Sequence, residues 1–118
     1  MTVLWLLLAC APGADSASCD RDPPLTYHTW GEAFIDKHCT GCHSSLLGTP
    51  AERNNATIGV DLDTYGDVLV FAERIEARVL TPESPQMPPG GGPTEEELQM
   101  LREWMSCSVY PDVEALEE

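Results

Sequence analysis

IDKHCTGCHSS, residues 35–45, sets two cysteines three positions apart with a histidine directly after the second: Cys39-Thr40-Gly41-Cys42-His43. Three chemistries use thiols at this spacing. Covalent attachment of a haem needs two thiols placed to reach the two vinyl groups of one porphyrin, and an imidazole placed to bind its iron. Cys-x-x-Cys-His supplies all three groups in five residues. A structural zinc site needs four ligands, usually as two separated pairs. Cys39, Cys42 and His43 would make one side of such a site, but no second Cys-x-x-Cys or His-x-x-x-His follows. A thioredoxin-like dithiol requires strands alternating with helices, and this chain carries no convincing strand pattern. The motif therefore reads first as a c-type haem site, with Cys39 and Cys42 as covalent anchors and His43 as an iron ligand. Zinc and a redox dithiol are the alternatives.

Outward from the motif, three helical signals appear. Thr29 followed by Glu32 is a capping-box pattern, and the short helix it starts carries Trp30, Phe34 and Ile35 inward before running into Cys39. Thr64 with Asp67 starts a second helix, in which Tyr65, Val68, Leu69, Ala72, Ile75 and Val79 recur at helical spacing. Its opposite face holds Asp67, Glu73, Arg74 and Arg78. Thr94 with Glu97, preceded by Pro93, starts a third, with Leu98, Leu101, Trp104 and Met105 on one face and an end near Cys107. The stretches 44–63 and 81–93 have no periodicity. Loops of that length are uncommon in a small domain unless they serve a function or wrap a ligand. The expected class is all-α, about three helices plus long loops.

The first residues, MTVLWLLLACAPGADSASC, form an apolar run too short to cross a bilayer as a stable helix and read as an export signal. Leu7-Leu8-Ala9-Cys10 resembles the lipobox of bacterial lipoproteins, which implies a signal peptide over 1–9 and a lipid on Cys10. The competing expectation is ordinary signal cleavage near Ala14-Asp15-Ser16. Either route places the domain outside the cytosol, where disulfides persist. Residues 10–25, small, acidic and proline-containing, read as a tether, residues 26–109 as the domain, and 110–118 as an acidic tail. Six basic residues against twenty acidic ones give a net charge of −14. That excludes a phosphate-backbone partner such as nucleic acid. It fits either a solvated, self-repelling surface or steering toward a basic patch on a redox partner.

Over roughly residues 29–108 the sequence resembles a class I, single-haem cytochrome c domain of the small acidic kind found in bacterial lipoproteins. The resemblance rests on Cys39-Thr40-Gly41-Cys42-His43, on Gly31, Phe34 and Ile35 in the helix before it, and on Trp104 in the last helix. It implies a fold in which the first and last helices cross and the loops wrap one covalent haem. It also implies a methionine as second iron ligand on a loop before the final helix. Met87, between Pro85 and Pro88-Pro89, is placed for that role. A thioether ligand favours ferrous iron and raises the reduction potential. Met100 and Met105 read as core filler, and His28 and His38 as solvated surface histidines. The family orients its iron-binding imidazole through a backbone carbonyl near a proline. Pro50 is a candidate at a spacing that departs from the better-known members. Arg74 and Arg78 are candidates to pair with haem propionates, or ordinary surface charges. Crossing helices also imply a Cys19–Cys107 disulfide, closing a large loop and stabilising by up to about 4 kcal/mol.

The expected function is electron transfer by one haem c, ligated by His43 and Met87 and tethered to a membrane through Cys10. Redox proteins are the expected partners; no small-molecule substrate or turnover is expected. The alternatives are a haem enzyme or sensor with an open iron position, of peroxidase type, and a relay subunit of a larger redox complex.

Overall fold

A computed structural model describes residues 18–81 and 86–117. Thr26 has extended backbone (φ −123°, ψ 167°), and its side chain accepts the Thr29 amide, while the Thr29 hydroxyl accepts the amide of Thr26. This reciprocal cap starts the first helix three residues earlier than the Thr29–Glu32 pattern predicts. The chain makes one wide π-type turn over Tyr27–Gly31 and continues without a break as helix α1, Glu32–His38. Phe34 and Ile35 are buried as expected.

The other two capping boxes stand where the sequence puts them. Thr64 accepts the Asp67 amide and Asp67 the Thr64 amide, opening α2, Tyr65–Val70. After a kink at Phe71 (φ −101°, ψ 14°) the chain resumes as α3, Ala72–Ile75, and widens through Glu76–Leu80. Val68, Ala72, Ile75 and Val79 face the core. Thr94 and Glu97 open α4, Glu95–Trp104, with three glutamates in the first turn opposite the positive end of the helix dipole. A wide turn over Met105–Val109 then leads into α5, Tyr110–Leu116. No strand occurs among the described residues, as the all-α expectation requires.

The core is built around Trp104, which is fully buried together with Ile35, Val68, Leu101, Met105 and Val109. Tyr27, Trp30 and Tyr65 surround its indole, with ring centroids 6.4, 5.9 and 6.2 Å away. Its Nε1 is buried without a hydrogen-bond partner. Gly31, at the end of the first wide turn, lies against Trp104 of α4: a β-carbon there would stand 2.3 Å from Trp104 Cζ2. Met105 is buried and Met100 packs against the core, consistent with a filling role.

Two boundaries differ from expectation. Most of the expected tail is helical: α5 packs against α2, and Tyr65 donates its hydroxyl proton to Asp112 Oδ2 at 2.6 Å. Tyr110 and Glu76 are also hydrogen-bonded. Nor is all of 10–25 a free tether. Cys19 and Cys107 are joined by a disulfide with Cα atoms 5.6 Å apart. Arg21 binds Glu103 through Nε at 2.5 Å. Leu25 is buried, and Ser108 Oγ donates to its carbonyl at 2.8 Å. The segment from Cys19 to Leu25 is thus fastened along the end of α4 and the wide turn that follows it. Cys10 and the leader lie outside the described residues.

Candidate functional site

The motif occupies the turn that ends α1. The Cys39 amide donates to the Ile35 carbonyl at 2.8 Å, the last helical bond, and the Cys42 and His43 amides both return to the Cys39 carbonyl at 3.1 and 2.9 Å. That winding projects two thiols and an imidazole from a single tight loop. Cys39 and Cys42 are unpaired and half-buried. Asn54 donates from Nδ2 to Cys42 Sγ at 3.3 Å. Asn54 and Asn55 both take the left-handed conformation, at φ 50° and 64°, which asparagine tolerates better than most residues.

Burial, with the neighbouring Cys42 second, pushes the Cys39 thiol up to about 12. Among the described residues no cluster of three or more His, Cys, Asp or Glu side chains lies close together.

His43 is locked from behind. Its Nδ1–H donates to the carbonyl oxygen of Val60 at 2.9 Å. A carbonyl only accepts, so the proton sits on Nδ1 and the lone pair on Nε2 is left for a metal. The His43 carbonyl in turn accepts from the Leu62 amide at 2.9 Å. Two bonds therefore bind His43 to residues 60–62. The partner of Nδ1 is thus the carbonyl of Val60, ten residues beyond the candidate Pro50.

The loop over 44–63 holds its shape through Arg53, whose side chain is 1% exposed. Nη1 donates to the Ser44 carbonyl at 2.6 Å and to Asp61 Oδ1 at 2.8 Å, and Nη2 to the carbonyls of Thr57 and Val60 at 2.9 and 3.0 Å. Longer bonds reach the carbonyls of Leu47 and Ala56, both at 3.3 Å. A buried guanidinium is tolerated because its five N–H groups are all answered. Sequence reasoning passed over Arg53. The available signal was one cation inside a twenty-residue stretch with neither periodicity nor an apolar face.

Met87 is half-buried and, like Cys39, packs on the main core. Its amide donates to the Arg78 carbonyl at 3.0 Å, pinning this segment to the end of the α3 extension. His28 is exposed as expected, while His38 is not: its side chain is 8% exposed, and Nε2 lies 2.8 Å from Glu97 Oε2. Phe34 lies against its ring, at 4.9 Å between centroids. His38 thus joins the end of α1 to the start of α4 instead of facing water. Arg74 is exposed.

Two thiols and an imidazole protonated on Nδ1 share one turn, and the Met87 thioether lies on a separate segment packed against the main core. Cys39 and Cys42 would hold the porphyrin, His43 Nε2 and Met87 Sδ its iron. No family model matches the chain, and no curated protein or solved structure is significantly similar to it.

Proposed function

We propose that this chain is an electron carrier with one covalently bound haem c, held to a membrane through a lipid on Cys10. The observation that carries the reading is the His43 Nδ1–H bond to the Val60 carbonyl within a Cys-x-x-Cys-His turn. It orients the imidazole and frees Nε2, the arrangement an iron ligand needs and a surface histidine does not. When bound, the haem supplies a one-electron couple between ferric and ferrous iron.

The chain's own contribution is geometric and dielectric. His43 is fixed by two bonds, so its position need not change between oxidation states. Met87 offers a soft thioether, which favours the ferrous state. Met87 packs on the aromatic core, which limits solvent access on its side. The Cys19–Cys107 disulfide fits an oxidising, extracytosolic compartment, where c-type haem is attached. The charge of −14 favours a partner with a basic docking patch.

The test is absorption spectroscopy of the protein made in a host that matures c-type cytochromes. A six-coordinate c-type spectrum, together with the weak ferric band diagnostic of bound methionine, is expected. Covalent haem without that band would favour an open-site enzyme or sensor, and no haem would overturn the reading.

A further inference from the structure

The Val60 carbonyl receives two donors at once: His43 Nδ1–H at 2.9 Å and Arg53 Nη2–H at 3.0 Å. We propose that Arg53 is a positioning residue that sets the donor strength of His43 toward iron through this shared oxygen, an inference that rests on the haem reading above.

A carbonyl oxygen has two lone pairs. When a buried cation takes one, it draws electron density from the oxygen and leaves a poorer acceptor for the other donor. The bond from His43 Nδ1–H is then weaker, the imidazole has less imidazolate character, and Nε2 is a weaker electron donor. A weaker donor stabilises ferrous iron relative to ferric, so Arg53 raises the potential. Asp61 opposes it. Its carboxylate binds the other edge of the guanidinium at 2.8 Å and offsets part of the charge that the carbonyl feels.

Arg53 also organises the loop, through the carbonyls of Ser44, Leu47, Ala56 and Thr57. A loop-organising role alone makes no prediction about the sign of a potential. The electronic role predicts opposite signs for the two members of the Arg53–Asp61 pair.

The experiment uses the full chain with haem attached, as wild type, Arg53→Gln, Arg53→Lys and Asp61→Asn. Two quantities are read: the reduction potential, and the His43 Nδ1–H resonance in the reduced, diamagnetic protein labelled with ¹⁵N-histidine. In Arg53→Gln the potential falls and the resonance moves downfield, because the released carbonyl accepts more strongly; Arg53→Lys lies between. Asp61→Asn keeps every bond from Arg53 to a carbonyl, raises the potential and moves the resonance upfield. The inference is overturned if Arg53→Gln and Asp61→Asn shift the potential in the same direction, or if the resonance stays in place in all three variants. Should Arg53→Gln fail to fold, Asp61→Asn decides alone, by the sign of its resonance shift. Wild type without covalent haem sinks the electron-carrier reading itself, whereas a haem-loaded wild type with unmoved resonances sinks only the role of Arg53.

Discussion

Gly31 and Trp104 meet so closely that the missing β-carbon would stand 2.3 Å from Cζ2 and 2.6 Å from Cη2 of the indole. Neither side can yield cheaply. The glycine backbone is helical and the indole is fully buried among Tyr27, Trp30 and Tyr65.

Gly31→Ala therefore tests this contact. Helix propensity alone would favour alanine by about 1 kcal/mol, but overpacking at this distance outweighs it, for a net loss of about 1–3 kcal/mol. Gly66→Ala is the control. Its β-carbon would meet only Thr64 Oγ1, at 3.6 Å, so it should be neutral or stabilising by up to about 1 kcal/mol. The denaturant midpoint should fall for Gly31→Ala and hold or rise for Gly66→Ala, and equal losses would refute the close contact of Gly31 with Trp104.

Replacing both Cys19 and Cys107 by serine removes the link across 88 residues of chain. The expected loss is about 2–4 kcal/mol, read as a lower melting temperature under oxidising conditions. Because Arg21 and Glu103 stay paired beside the site, haem attachment at Cys39 and Cys42 should survive. A variant as stable as wild type would remove the disulfide from the account of stability.

Met87→Ala should leave covalent haem in place while abolishing the ferric methionine band and lowering the potential. Met100→Leu, a volume-conserving change on α4, should do neither. An unchanged spectrum in Met87→Ala would assign the sixth position to another group.

Acid should weaken the junction of α1 with α4. The hydrogen bond from His38, then the Thr94 amide, lowers the Glu97 carboxyl from 4.5 to about 2. A depressed folded value means that the unfolded chain binds more protons between the two. The stabilisation from Glu97 is thus present above about 4.5 and lost as pH falls through about 2. Glu97→Gln should flatten the dependence of melting temperature on pH across this window. An unaltered acid limb would show that the pair does not contribute.

Apart from the Cys19–Cys107 disulfide, the parts legible in the sequence share one property: their cause is local. Cys39, Cys42 and His43 form a motif five residues long, and Thr64 with Asp67 or Thr94 with Glu97 cap within one turn. The first cap was read three residues late because Thr29 acts at the third helical position, where the familiar pattern expects a glutamate. Thr26 carries the cap itself. Long-range partners left no such trace. His38 looked solvated because Glu97 is 59 residues away, and Val60 was missed because a backbone carbonyl has no sequence signature. In the last segment, Val113, one turn beyond Val109 and Tyr110, is a helical signal hidden under its acidity.

The disulfide also limits how far the carrier can travel. With Cys19 fastened to Cys107, only the nine residue steps back to Cys10 remain to span the gap to a lipid anchor. Fully extended, they reach about 30 Å, roughly the width of the domain itself. Under the anchored reading the haem patrols a thin layer above the lipid headgroups. It meets partners embedded in, or lying on, the same membrane, and a donor and acceptor facing each other across a wider aqueous gap would be out of range.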